Sequence, residues 1–150
     1  MAGTFTNLLY HIVFSTKHRQ SLITSALQPE LYKYLGGIIR GEGGTLLEIG
    51  GTADHVHLVT MFKADVSVAE MLRLIKGNSS KWANQRPGAK TRFGWQTGYA
   101  AFSVSESQIA ALRAYVRRQK QHHGSISFQE ELLTLLRKHG IEYDERYVWD

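Results

Sequence analysis

The sequence has no cysteine, only two prolines and no apolar stretch long enough to cross a bilayer. Without cysteine there can be no disulfide framework, thiolate nucleophile or cysteine-type zinc site, so any metal would need His, carboxylate or amide ligands. A membrane span requires roughly 18 consecutive apolar residues, and the N-terminus lacks both a charged start and a small-residue cleavage site. We therefore expect a soluble, cytoplasmic protein with no membrane partner.

The length and composition are those of one globular domain. The chain has 150 residues, of which 43% are hydrophobic and 21% are charged, and a domain of this size buries roughly 68–70% of its unfolded surface. No repeat, linker or low-complexity segment interrupts it. We predict a single domain over 1–150, with a βαββαβ core at 1–104, a tyrosine-bearing helix at 105–123, and a C-terminal helix and tail at 124–150.

Acidic residues are missing from two long stretches of this basic chain, whose net charge is +5. No acid lies between Glu70 and Glu106, although six cations and several aromatic side chains do, and a second acid-free stretch runs from Ser107 to Gln129. Cations interleaved with aromatics suit a polyanion whose bases can stack. A solvated basic face is the alternative interpretation.

Hydrophobic periodicity predicts alternating strands and helices, and turn residues separate them. The predicted strands are 5–15, 46–49, 55–62 and 99–104, and the predicted helices are 27–40, 67–82, 105–122 and 127–140. Ser67 with Glu70 and Ser127 with Glu130 have the spacing of helix caps. This order predicts an α+β fold, a ferredoxin-like or RRM-like split βαβ antiparallel sheet with helices on one face and the other face free for a ligand.

Two histidines in the predicted third strand are candidate metal ligands. His55 and His57 flank Val56, and because strand side chains alternate, both imidazoles leave the same face of the sheet. Two nitrogens are thus offered to one ion. Paired, half-exposed histidines on a sheet without any ion are the alternative.

The predicted helix at 105–122 presents a phenol and an amide together. Tyr115 and Gln119 are one turn apart at the edge of an apolar stripe centred on Leu112. An amide oxygen is a possible third metal ligand, and a phenol is a possible nucleophile towards a phosphate that a metal polarises. Alternatively, Tyr115 packs at the core edge and Gln119 bonds to solvent. His122 and His123 follow, either near the site or in a solvated helix end, and no dedicated general base is evident.

Several segments together resemble a known family. Asp54-His55-Val56-His57-Leu58 resembles the HUH motif, and Tyr115-Val116-Arg117-Arg118-Gln119 resembles the tyrosine helix of single-tyrosine HUH transposases of the insertion sequence 200/605 group. The likeness extends to residues 10–17, 74–82, 98–105 and 140–147, and so covers most of the chain.

The resemblance implies a DNA transposase that cuts and rejoins single-stranded DNA at insertion-sequence ends. Tyr115 would form a 5′-phosphotyrosine and release a 3′-hydroxyl, while His55, His57 and Gln119 hold Mg²⁺ or Mn²⁺. The resemblance also implies recognition of imperfect DNA hairpins, and a homodimer in which the tyrosine helix of one subunit completes the metal site of the other. Gly124, after the helix, permits either arrangement.

Within the basic surface, six side chains are the predicted phosphate contacts: Lys17, Arg19, Lys76, Lys81, Arg86 and Arg92. Two other functions are consistent with the same residues. The chain could be a non-catalytic regulator of the same fold that binds nucleic-acid hairpins, or a metal-dependent nuclease that uses water as its nucleophile.

Overall fold

A computed structural model describes residues 3–149, and its sheet and helices follow the predicted order. The strands are β1 Leu8–Ser15, β2 Thr45–Thr52, β3 His55–Phe62 and β4 Ala100–Ser103. The helices are α1 Leu27–Gly41, α2 Val68–Gln85, α3 Ile109–Arg117, α4 Gln119–His122 and α5 Phe128–Lys138, with short 3-10 turns at Lys17–Arg19 and Glu106–Gln108. No helix among residues 3–149 is both long and apolar enough to traverse a bilayer.

The four strands form one antiparallel sheet in the order β2-β3-β1-β4. This is the strand order of a split βαβ fold, in which both crossover helices return on the same side of the sheet. The predicted α+β, ferredoxin-like fold class is therefore confirmed. The lack of a clean period and the prolines and glycines of residues 83–98 predict mostly loop. In the structure α2 continues to Gln85, and residues 86–99 contain no helix or strand beyond the single bridge from Trp95 to Thr16.

The main core lies between α1, α2 and the first face of the sheet. Ile12 and Phe14 of β1 and Val56 and Leu58 of β3 all point into it and are fully buried. Leucines and isoleucines at helical spacing on α1 and α2 complete this core, as their sequence periodicity predicts. The alternate residues of β1 and β3 therefore face the opposite side.

The second face of the sheet, expected to be free for a ligand, is partly covered by α5. Val13 and Phe102 from the sheet pack with Phe128, Leu132 and Leu136 of α5 in a second, smaller core. The predicted N-cap of this helix is present, since the Ser127 hydroxyl accepts a hydrogen bond from the Glu130 amide at 3.1 Å. An apolar helix stripe of this kind buries itself on the nearest apolar surface, which here is the second sheet face.

The single helix predicted at 105–122 is interrupted in the structure. Arg118 has φ −96° and ψ 19°, which ends α3 and begins the short α4. The chain also enters α3 through a 3-10 turn, and the Ser105 hydroxyl contacts the Ser107 hydroxyl rather than capping the helix. The interruption lies between Tyr115 and Gln119, so the two side chains are placed by different helical segments.

The helix α3 is held directly against β2 of the same chain. Arg113 and Arg117 each donate to the Glu48 carboxylate at 3.1 Å. At Gly50 the backbone of α3 comes so close that a Cβ atom would overlap the carbonyl oxygen of Val116. Glycine at this position is therefore what allows α3 to lie on the strand.

We expect Gly50→Ala to lower the free energy of unfolding by about 1–3 kcal/mol, as overpacking of a close contact does. The matched control is Gly77→Ala in α2, where an added Cβ has nothing within 4 Å. In a helix interior this change removes the glycine penalty and raises stability by up to about 1 kcal/mol. Urea unfolding of both variants measures the difference, and equal effects would contradict the close docking of α3.

Candidate active site

The two histidines of β3 lie on the second face of the sheet, as the alternation of the strand predicts. His57 pairs with Val13 and His55 pairs with Ser15 across β1, and both imidazoles are fully buried. Because paired residues share a face, His11 of β1 lies on the same side. Its Nε2 is 2.8 Å from His57 Nδ1. The three imidazoles thus form one buried row.

Groups outside the cluster orient two of the rings towards its centre. His55 Nδ1 donates to Asp54 Oδ1 at 2.7 Å, and His123 Nδ1 donates to the carbonyl oxygen of Ile126 at 2.8 Å. In their neutral forms both rings therefore direct an Nε2 lone pair inwards, which is how outer hydrogen bonds prepare histidines for a metal.

The centre of the cluster is the carboxylate of Glu131, carried by α5. Its Oε1 lies 2.9 Å from His57 Nε2 and 2.9 Å from His123 Nε2. Its Oε2 accepts hydrogen bonds from Gln119 Nε2 at 2.9 Å and from the Tyr115 hydroxyl. Glu131 is only 2% exposed, so a charged group is buried here and needs several partners to be stable.

Four of these side chains could hold a metal ion. His55, His57, His123 and Glu131 each offer one ligand atom, and the four atoms lie within 4.8 Å of one another. The Nε2 lone pairs of His55 and His123 face the Glu131 carboxylate. A cation between the two rings and the carboxylate would bind the lone pairs and neutralise the negative charge. The residues present therefore fit a divalent ion, with a nitrogen-rich donor set.

The predicted third ligand, Gln119, also lies beside this group. Its Oε1 is 3.0 Å from His55 Nε2, and the side chain is 1% exposed. The structure thus brings together the predicted His55, His57, Gln119 and Tyr115. It adds His123, which the sequence left between two interpretations.

Burial and the carboxylate set the protonation of the site. Burial, and next the hydrogen bond and charge of Glu131, raise the pKa of Tyr115 well above its usual 10. Burial raises the pKa of Glu131, but the hydrogen bond and charge of His57, with bonds from Tyr115 and Gln119, hold it well below its usual value. Burial lowers the pKa of His57 to about 4 although Glu131 opposes this. The phenol is therefore neutral and the carboxylate is charged.

Sequence reasoning missed Glu131 and His11. A signal for Glu131 exists, because this acid stands among Phe128, Leu132 and Leu135 on the apolar stripe of α5, where an unpaired carboxylate would be costly. His11 has a comparable signal, since it alternates with Ile12 inside a strand whose two faces are both apolar. The sequence position of Glu131 or His11 does not predict which side chains it contacts.

The structure does not bring the six predicted phosphate contacts into this cluster. Lys17, Lys81 and Arg92 are exposed. Arg19 lies 5.2 Å from the Trp149 ring, and Arg86 lies 5.7 Å from the Trp82 ring.

Lys76 has the most internal position of the six. Its Nζ donates to the carbonyl oxygens of Thr97 at 3.0 Å and Gly98 at 2.8 Å. Burial lowers its pKa to about 8. In this conformation its ammonium anchors the loop that precedes β4.

Two comparisons of sequence agree on the same family. The family model described as "Transposase IS200 like" matches residues 4–119. The transposase of insertion sequence element IS200 from Salmonella typhimurium is 28% identical over 128 residues, which are 79% of this chain and 81% of that protein. The ISDra2 transposase TnpA of Deinococcus radiodurans is 23% identical over 122 residues, or 78% and 87% of the two chains.

Two solved structures share the fold. A putative transposase from Deinococcus radiodurans superposes with a TM-score of 0.61 and 22% identity, over 77% of this chain and 93% of that one. A REP-associated tyrosine transposase bound to a REP hairpin gives a TM-score of 0.61 and 14% identity, over 84% and 76% of the two chains. Because the family model spans well over half of the sequence, the chain belongs to the IS200-like transposase family.

Proposed function

We propose that this transposase cuts and rejoins single-stranded DNA through a covalent link between Tyr115 and a 5′-phosphate. The observation that carries the proposal is the shared carboxylate of Glu131. One of its oxygens contacts the Tyr115 hydroxyl, and the other contacts His57 and His123. The nucleophile and the candidate metal ligands therefore meet at one side chain.

The chemistry requires a proton to leave the phenol as it attacks. The Tyr115 oxygen bonds to phosphorus while the bond from phosphorus to the 3′ oxygen breaks, and the leaving oxygen takes a proton from solvent. Glu131 Oε2 is the acceptor for the phenolic proton, since it already accepts the hydrogen bond of that hydroxyl. The covalent link retains the energy of the broken bond, so rejoining to a 3′-hydroxyl needs no ATP.

A divalent ion bound by His55, His57, His123 and Glu131 would polarise the scissile phosphate and stabilise the phenolate. Of Mg²⁺ and Mn²⁺, the imidazole-rich set favours Mn²⁺, because Mg²⁺ prefers oxygen ligands. Gln119 lies close enough to His55 to serve as a further ligand. His11 supports either protonation state of its neighbour, since it can donate to or accept from His57 Nδ1.

We propose single-stranded DNA with imperfect hairpins as the partner. The fold neighbour bound to a REP hairpin supports this choice, as do the acid-free, cation-rich stretches of the sequence. The predicted phosphate contacts Lys17, Lys81 and Arg92 are exposed and available to a DNA backbone. Dimerisation remains a prediction from the resemblance.

The tyrosine of this chain lies in the site of its own histidines. Its ring is 5.9 Å from that of His57, and α3 is anchored on β2 through Glu48 and Gly50. We therefore propose that a subunit works with its own Tyr115, rather than with the tyrosine of a partner.

We expect Tyr115→Phe to abolish the covalent adduct with a hairpin-bearing single strand in Mn²⁺, while hairpin affinity stays within about threefold, because only the nucleophile is lost. The matched control is Tyr99→Phe, at an exposed tyrosine outside the site, which leaves adduct formation intact. A denaturing gel measures the adduct and fluorescence anisotropy measures binding.

Two results would contradict this function. Cleavage retained by Tyr115→Phe with release of free ends would indicate a nuclease that uses water. Hairpin binding without an adduct in the parent protein, under any divalent ion, would indicate a non-catalytic regulator.

We expect Glu131→Gln to weaken Mn²⁺ binding by at least about tenfold, because an anionic ligand is replaced by a neutral amide. Its neighbour on α5 provides the control, since Glu130 is exposed and Glu130→Gln keeps the same charge change without touching the site. Isothermal titration calorimetry with Mn²⁺ alone measures the affinity. Equal affinities for the two variants would remove Glu131 from the metal site.

We expect a mixture of His57→Ala and Tyr115→Phe proteins to form no more adduct than either variant alone, because each chain uses its own tyrosine. Thermal melting first establishes that both variants are folded. Recovery of adduct in the mixture would show instead that α3 is exchanged between subunits.

A further inference from the structure

A cavity of about 600 Å³ opens beside Tyr115, between α3 and α5. Tyr115, His122 and Glu131 line its inner end. The imidazoles of His55 and His57 are fully buried, whereas Tyr115 and His122 are partly exposed. A DNA strand that brings a phosphate to the phenol therefore has this cavity next to it.

The volume of the cavity exceeds what a phosphate group needs. It lies in the range of about 300–1,000 Å³ that small organic ligands occupy. Its walls include apolar side chains from both helices, namely Ala111 and Leu112 of α3 and Leu135 of α5. An apolar slot of this size beside a reacting phosphate suits a flat, mostly apolar group.

One aromatic ring in the lining is already held in place for stacking. His139 stacks on Phe102 with ring centroids 4.1 Å apart and planes at 12°. His139 is exposed and lines the cavity, so a second flat ring could pack on it. Nucleobases in single strands stack on such rings.

Polar side chains at the cavity suit the edge of a base. Ser103, Ser105, Gln108 and Thr134 line it and supply donors and acceptors. Lys138 adds a positive charge, and the carboxylate of Glu131 is already engaged by four groups of the site. The lining therefore accepts a nucleotide that carries negative charge.

We propose that this cavity binds one unpaired nucleobase of the DNA strand, adjacent to the bond that Tyr115 attacks, and selects which base stands there. The inference rests on the proposed function, because the adjacent phosphate is the one that reacts. The base packs between the apolar walls and stacks on His139. Gln108 and the hydroxyl side chains read its edge.

The test uses nucleotides alone, so that it does not depend on cleavage. The four deoxynucleoside 5′-monophosphates, and deoxyribose 5-phosphate as the baseless control, are titrated into the full chain with isotope-labelled alanine and leucine methyl groups. We expect shifts at Ala111, Leu112 and Leu135 with nucleotides and not with the sugar phosphate, and a preference among the four bases.

A pair of adjacent alanines supplies matched variants. Ala111 and Ala110 are both exposed on α3, but only Ala111 lines the cavity. We expect Ala111→Trp to weaken nucleotide binding about fivefold or more, as loss of base stacking does, and Ala110→Trp to leave it unchanged. Shifts confined to other surfaces, no shift at millimolar nucleotide, or equal effects of the two variants would overturn the proposal.

The adduct assay then distinguishes a failure of the base-binding cavity from a failure of the proposed tyrosine chemistry. An abasic nucleotide next to the cleaved bond lowers adduct yield in the parent protein and has no further effect in Ala111→Trp. If the abasic nucleotide does not change the adduct yield, base binding in the cavity is refuted while the tyrosine chemistry is supported. Specific nucleotide shifts in a protein that forms no adduct support the cavity and refute the chemistry.

Discussion

The buried carboxylate of Glu131 is the interaction on which the site depends. A charge in this position is stable only if its oxygens are bonded, and it accepts hydrogen bonds from His57 on β3, Tyr115 on α3 and Gln119 on α4. Removing the carboxylate would leave two inward imidazoles and an amide without their common partner. The C-terminal helix is therefore part of the candidate site as well as of the second core.

Close docking of α3 on β2 is the second constraint. Gly50 allows the helix backbone to touch the strand, and Glu48 holds two arginines of the same helix. Partly exposed ion pairs of this kind contribute little stability on their own. Their importance here is geometric, because they set the distance from the phenol to the histidines of the same chain.

The two faces of the sheet differ in what they bury. The first face buries the large apolar core under α1 and α2, which makes the sheet rigid. The second face carries the row of imidazoles and the smaller core under α5. A rigid strand thus presents His55 and His57 at a fixed spacing.

Much of the fold could be predicted from the sequence because it depends on local patterns. Period-two alternation predicted the strands, and helical spacing with serine caps predicted the helices. The order of these strands and helices along the chain predicted the split βαβ antiparallel sheet. The break at Arg118 could not be predicted, since Tyr115 to Gln119 has no proline or glycine to mark it. The docking of α3 on β2 could not be predicted either, because the only local indication of it in the sequence is the glycine pair Gly50 and Gly51 in β2.

For the site, the sequence by itself determined the paired histidines on one strand face, because backbone alternation dictates where neighbouring strand side chains point. The tyrosine and glutamine, predicted one turn apart on a single helix, are instead placed by two helical segments that meet at Arg118. Only the tertiary structure decided that Glu131, 74 residues from His57, closes the cluster, and that Tyr115 lies beside the histidines of its own chain. The physical reason is that a buried charge is satisfied by whichever groups the packing of distant helices brings within hydrogen-bond distance, and no spacing along the chain encodes that.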